Sequence, residues 1–498
     1  MGDAEYGQQV RRHLIQRQRG LASARRARLA ALETVGDAKE YIAHARAVTL
    51  KAFARESCFS GERTPLNAVT VGQPTVHSGF RVENVRFEAL PGNFVTANLY
   101  LPSSASATTP APAIVQPLGH SATAKAATGY QEASQRLALA GFAVLSYDPI
   151  NQGERDQYTT LLPADEPVLG SYSPGSARTS TAAHNMMGKQ MELLGEFFGQ
   201  CMLWDGIRAV DFLESRAEIC TSILGLTGCS GGGTMSSWLW AMEPRFTMAA
   251  PNCFVTTYLH NLENENGQDN EQCPPGVLGH GLENADMLLA TNAGKPLLLT
   301  GERYDYFDRR GLSEAFEDIK TVYRCLAGNE AAEKCGLFIG EHTHGFSQED
   351  VIEIAKFFCH HAGLPPPPDS CAGPMTAVGI PMGGGQVFAP ELFSADGDVA
   401  TVPGFVSIPT RVAAVATQRA AERLVPSYTT LRTGLRELLG LPSGLLAGGA
   451  PSFRNVLPRS DVGAGAANRN INGHLCWEFS IGNAEIMENC PYKMMIFH

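Results

Sequence analysis

The sequence predicts an α/β protein: a mainly parallel sheet with helices on both faces, a helical N-terminal extension and an appended C-terminal region. Three observations predict it. Between about residues 113 and 361, short apolar runs alternate with helical stretches, the rhythm of parallel strands joined by crossover helices. Just before them, residues 81–88 and 94–101 alternate in polarity around Pro91-Gly92, which reads as an antiparallel hairpin at the sheet edge. The first 57 or so residues are rich in Leu, Ala and Arg and hold no proline, so they read as helical.

In chain order, residues 113–115 form a short strand and 130–140 a helix. Residues 142–147 are the next strand, stopped by Asp148-Pro149, and a long helix is expected over 183–215. Strand 223–227 leads into helix 232–241. Strand-like runs follow at 247–250, 296–300 and 336–339, with helices at 312–326 and 348–361. Pro365-Pro366-Pro367-Pro368 fits neither a helix nor a central strand and marks a boundary. The expected division is therefore 1–60, 61–363 and 364–498. Beyond it, 412–424 reads as helix, Pro426 interrupts, and 428–439 resumes it. Residues 443–465 are rich in Gly, Pro and Ser, and the last thirty residues have no clear period.

Composition narrows the function. A chain of 498 residues, 44% hydrophobic with a mean hydropathy of -0.10, can bury a large core and exceeds one ordinary domain. A net charge of -11 gains nothing from phosphate backbones, so nucleic acid is not the expected partner. Arg11, Arg12, Arg17, Arg19, Arg25, Arg26 and Arg28 crowd the N-terminus, which reads as a solvated helix face. The cysteines form no CxxC pair and no zinc-spaced Cys/His cluster. With no dinucleotide fingerprint either, no metal and no cofactor is expected. No apolar stretch of about 18 residues exists to span a bilayer, and the start lacks a signal-peptide core. A soluble cytoplasmic protein is the expectation, with no oligomeric state specified.

The chemistry concentrates at Gly228-Cys229-Ser230-Gly231-Gly232. A nucleophilic serine must stand clear of its sheet on a tight strand-to-helix turn, and crowding there requires glycine two residues before and two after. Strand 223–227 enters the turn and an apolar helix leaves it, which makes Ser230 the candidate nucleophile. The Gly231 N–H, at the helix start, points to where an oxyanion would develop. A second donor is expected in the loop Gln116-Pro117-Leu118-Gly119-His120-Ser121. It is the His120 N–H, with Gly119 allowing close approach. The His120 side chain reads equally as a polar loop residue or a substrate contact.

A serine hydroxyl needs a neutral imidazole to take its proton, and that imidazole needs a carboxylate to fix its tautomer. The acid should follow a late strand and the histidine the last one. After strand 296–300 come Glu302, Asp305 and Asp308. Asp305 is preferred because the loop should turn back there, with Asp308 second and Glu302 a surface or ion-pair candidate. After strand 336–339 come His342 and His344. His344, before Gly345 and the terminal helix, is preferred.

The matching stretches Gly119-His120, Asn151-Gln152-Gly153-Glu154-Arg155, Trp204-Asp205, residues 211–216, Gly228-Cys229-Ser230-Gly231-Gly232-Gly233, Ala241-Met242-Glu243-Pro244-Arg245 and His344-Gly345 give the chain a family likeness. In them it resembles the acetyl xylan esterase-like branch of the α/β-hydrolases over about residues 62–361. The resemblance implies an α/β-hydrolase fold and carboxylic-ester hydrolysis through an acyl-enzyme, often on acetylated sugars. It also implies Ser230, Asp305 and His344 as the triad. The chain departs from the family at Asn151, where Gly is usual, and at Glu218-Ile219-Cys220. The resemblance further suggests that residues past 370 begin a second, incomplete hydrolase-like unit.

The long insertion over 253–290, dense in Asn, Gln and carboxylates and including His260, suits a polyhydroxylated substrate and reads equally as a solvated loop. Gly119, His184 and His260 are the candidate substrate contacts, and Gln190 is placed with His184. The expected function is a serine esterase on small acyl or carbohydrate esters. A serine peptidase on the same fold and a catalytically inactive hydrolase-fold binding protein are the alternatives.

Overall fold

The computed structural model describes residues 3–53, 61–158, 161, 180–373, 375, 377–382, 386–423, 427, 429–431, 433–434, 476–479 and 494–497. The chain divides into two compact units, Ile15–Gln418, and Met1–Leu14 with Arg419–His498.

The elements run α1 (Asp3–Ala30), α2 (Val35–Phe53), β1 (Val69–His77), β2 (Phe80–Leu90), β3 (Asn93–Pro102), β4 (Ala111–Pro117), α3 (Thr128–Leu139) and β5 (Ala143–Tyr147). Next come α4 (Ser180–Glu192), α5 (Phe198–Glu214), β6 (Ile219–Cys229), α6 (Gly231–Met242), β7 (Met248–Asn252), α7 (Tyr258–Glu263) and α8 (Asn284–Leu289). The run closes with β8 (Leu297–Tyr304), α9 (Arg309–Ala332), β9 (Cys335–Thr343) and α10 (Gln348–Ala362), and α11 (Ile408–Glu422) follows.

The nine strands form one sheet in the order β1-β2-β3-β5-β4-β6-β7-β8-β9. The pairs β1/β2, β2/β3 and β3/β5 are antiparallel, and every pair from β5/β4 to β8/β9 is parallel. Parallel strands are covered on both faces, which is why β5 and β7 are buried throughout. Ala113 and Val115 of β4 join one apolar cluster and Ile114 the other, so alternate side chains feed the two helix layers.

The strand-helix rhythm read from the sequence is present, with three differences. β1 adds an outer strand that no alternation announced, because its side chains are mostly exposed. The helix expected over 183–215 is two helices, α4 and α5, parted at Gly195, whose φ of 72° lies in the left-handed region. The N-terminal arginines are not all solvated. Gln18, Ala22, Arg25 and Leu29 form a buried stripe, and Arg25 holds Asp286 at 2.6 Å.

The unit Ile15–Gln418 also runs past the proline run at 365–368. Ala395, Val399 and Val402 pack on Phe94, and the backbone N–H groups of Ser394, Ala395 and Gly397 donate to Glu154. Among the described residues past 369, none joins the nine-stranded sheet. The helix expected over 428–439 lies mostly outside the described residues, and 443–465 lies wholly outside them.

Candidate active site

β6 ends at Cys229 and α6 begins at Gly231, so Ser230 is the single residue of the turn. Its φ of 62° and ψ of -122° are unfavourable for any side chain, and the turn is held by Ser230 N–H to Asn252 O (3.0 Å) and Thr234 N–H to Ser230 O (2.8 Å). The flanking glycines answer a steric demand. A Cβ on Gly228 would lie 2.3 Å from Pro117 O, and one on Gly232 would lie 2.4 Å from the same oxygen.

Of the acids and histidines open in the sequence, the fold brings Asp305 and His344 together. His344 Nδ1 lies 2.9 Å from Asp305 Oδ1, which also accepts the Phe307 N–H. Asp308 instead caps α9, accepting the Arg310 N–H at 2.8 Å, and Asn264 also binds it. Glu302 accepts the His342 N–H, and the His342 ring pairs with Glu349 at 3.6 Å. Burial opposes charge on His344, but its hydrogen bond to Asp305, the Cys253 sulfur beside it and the Asp305 charge prevail, and the pKa is pushed up to about 9.

One residue that the sequence reading gave no role, Tyr306, stands in the middle of this group. The Tyr306 hydroxyl is 3.5 Å from Ser230 Oγ and 3.0 Å from His344 Nε2. Its ring stacks obliquely on the imidazole with centroids 4.1 Å apart, and the side chain is 51% exposed. Burial pushes its phenol up to about 12, so it stays neutral. Cys253 lies beneath, its thiol donating to Gly345 O; contact with the Cys229 thiol and burial push its pKa far up, so it stays protonated. Adjacency to Asp305 was the only sequence signal for Tyr306, and Cys253 had none beyond its place after β7.

The Gly119-His120 loop lies against the turn. A Cβ on Gly119 would fall 2.5 Å from Cys229 O and 3.1 Å from Ser230 Cβ, so only glycine permits this approach. The Gly119 N–H is directed to the Tyr130 hydroxyl at 2.8 Å, and its carbonyl accepts from Gln152 at 2.8 Å. That leaves the next N–H, of His120, as the loop's candidate oxyanion donor beside Gly231. The loop is anchored from below by a buried network. Lys125 binds Asp148 and, at 2.7 Å, Glu154, while Arg155 holds Asp205 at 2.6 Å. The motif 151–155 thus supports the loop rather than touching Ser230.

The His120 ring rests 3.2 Å from where a Gly231 Cβ would be and meets His184 and Glu271. His184, on α4, is therefore brought to the site. His260 is not: its Nδ1 bonds Thr257 at 2.6 Å, its Nε2 faces Glu314, and none of its hydrogen bonds reaches Ser230, Tyr306 or His344. Neighbouring Asn264 lines a cleft of about 280 Å³ with Arg303, Asp305, Tyr306, Asp308, Arg309 and Arg310.

A mainly parallel sheet with an antiparallel edge and a strained serine turn after a central strand is an α/β-hydrolase fold. Comparison with a solved structure agrees. The chain resembles "Methylesterase BT1017" at a TM-score of 0.57 and 18% identity, covering 79% of each chain. It also aligns with the "putative acetyl xylan esterase (BF1801)" of Bacteroides fragilis NCTC 9343, at a TM-score of 0.46 and 15% identity over 63% of this chain and 80% of that one. Among curated proteins, "Putative hydrolase YtaP" of Bacillus subtilis (strain 168) is 30% identical over 71 residues, 14% of this chain. That match spans 24% of the relative's own length. No family model matches the chain. Among the described residues, no helix is long and apolar enough to cross a membrane.

Proposed function

We propose that the protein is a serine carboxylic-ester hydrolase that works through an acyl-enzyme on small acyl esters, with acetylated sugars as the substrate class. The carrying observation is the strained Ser230 at the tip of β6, linked through the Tyr306 hydroxyl to an imidazole whose far nitrogen is held by Asp305.

Ser230 Oγ attacks the ester carbonyl carbon while His344 Nε2 takes its proton. The carbonyl oxygen, now an oxyanion, accepts from the Gly231 and His120 N–H groups. Collapse expels the alcohol, which leaves with the proton returned by His344, and Ser230 carries the acyl group. Water then repeats the sequence with His344 as base, releasing the acid and Ser230. Asp305 keeps the Nδ1–H tautomer throughout, so Nε2 is free to receive. The Tyr306 hydroxyl lies between the two reacting atoms and turns aside as the acyl group enters, which its exposure allows. The open cleft beside it, with charged and amide groups, suits a hydroxylated alcohol portion better than a fatty chain.

Turnover of p-nitrophenyl acetate tests this reading. The account expects turnover that falls at least about a thousandfold in Ser230→Ala. Ser230→Ala protein that keeps most of its activity contradicts it.

A further inference from the structure

His120, His184 and Glu271 come from three distant parts of the chain: the loop after β4, α4, and a 3-10 turn (Asn270–Gln272) in the long insertion. Their atoms close a triangle. His120 Nε2 lies 2.8 Å from Glu271 Oε1 and 3.1 Å from His184 Nδ1, and His184 Nδ1 lies 3.1 Å from Glu271 Oε1. His184 and Glu271 are each only 1% exposed.

Hydrogen bonds alone satisfy this triangle poorly. The far nitrogen of His184, Nε2, donates to Ile150 O at 2.7 Å, which leaves Nδ1 of the neutral ring as a lone pair. The far nitrogen of His120, Nδ1, is 3.8 Å from Asp269 Oδ2, beyond hydrogen-bond distance, so Nε2 either donates to Glu271 Oε1 or, with the proton on Nδ1, presents a lone pair. In the second tautomer two nitrogen lone pairs and a carboxylate oxygen converge, and in the first the His184 lone pair still faces that oxygen at 3.1 Å. If both rings are protonated instead, two N–H groups crowd each other at 3.1 Å. Glu271 Oε2, fully buried, has no hydrogen-bond partner among the described residues.

A cation resolves all of this. Ligand bonds of about 2.1 Å at right angles place neighbouring donor atoms about 3.0 Å apart, the spacing of an octahedral face. Two imidazoles whose far nitrogens face a carbonyl and a carboxylate carry the outer contacts that metal-binding histidines have. We propose that His120, His184 and Glu271 bind a divalent transition ion of the zinc, manganese or iron(II) class. The ion ties the Gly119-His120 loop, α4 and the insertion together on the flank of Ser230. The site stands whether or not Ser230 is the nucleophile.

The test is metal binding by the full chain after chelator treatment and dialysis. Titration with Co2+ should fill one site, with visible absorption bands, and Zn2+ should displace it. His184→Ala and the isosteric Glu271→Gln should each weaken binding at least about a hundredfold, whereas Ser230→Ala should leave it unchanged. Zn2+ should also raise the melting temperature of the wild type and not of Glu271→Gln, whose fold is checked by circular dichroism. Two outcomes overturn the proposal. One is no stoichiometric uptake by the folded wild type. The other is uptake that survives in both variants, which places the ion elsewhere, as at Cys253, Asp305 and His344.

Discussion

The hydroxyl of Tyr306 sits between Ser230 and His344, 3.5 Å from Oγ of the first and 3.0 Å from Nε2 of the second. Candidate base and candidate nucleophile are thus linked through a phenol, and in the proposed mechanism they meet directly once substrate arrives. A phenol held near 12 is a poor proton carrier at neutral pH. Tyr306→Phe should therefore change kcat for p-nitrophenyl acetate by less than about threefold. A loss of about a hundredfold would make the phenol an obligatory relay.

The pH profile should report His344. Only its neutral ring accepts a proton, so kcat/KM should rise with pH along a limb whose apparent pKa lies well above the usual 6.5, up to about 9. Cys253 stays a neutral thiol, so Asp305 is the charge responsible. Asp305→Asn should move the limb to lower pH and cut kcat by about 10⁴-fold through loss of the Nδ1–H tautomer. A limb that does not move would remove Asp305 from this role.

Stability should depend on Glu154. Burial opposes its charge, but Lys125 and the N–H groups of Ser394 and Ala395 outweigh that and lower its pKa. Its contribution is thus present above the ordinary carboxylate range and lost as pH falls through the lowered folded value. Glu154→Gln leaves Lys125 with Asp148 alone, so the variant should lose about 3 kcal/mol at pH 7 in urea unfolding. The gap from wild type should narrow at low pH.

Asp350 should act in the opposite direction. Burial foremost, with the Glu302 carboxyl beside it and against the Asn252 hydrogen bond, pushes it up to about 8. A raised carboxyl favours the folded state fully below its unfolded value, and that advantage disappears as pH rises toward about 8. Asp350→Asn keeps an acceptor and always supplies a donor toward Glu302. Its stability should fall less than that of the wild type between pH 4 and pH 8, read by thermal unfolding across that range.

Much of this was legible because local signals agreed. The β6–α6 turn could be read from Gly228, Gly232 and an apolar strand-to-helix switch, and the steric contacts with Pro117 O are the reason those glycines are there. What escaped was long-range. β1 is mostly exposed and so carries no alternation. Asp305 and Asp308 are three residues apart on one loop, and only the return of the backbone decides which meets His344. His120 and His184 lie 151 and 87 residues from Glu271, beyond any ligand-spacing pattern. His260, equally polar in sequence, is drawn instead to the α7 cap by Thr257.

The central claim is that Ser230 is a hydroxyl activated by His344. Folded wild-type protein treated with a fluorophosphonate and digested for mass spectrometry tests it most directly. The account predicts one phosphonyl adduct, on Ser230, that is absent in Ser230→Ala and strongly slowed in His344→Ala. No adduct on the folded protein, or an adduct that maps to another serine, would contradict it.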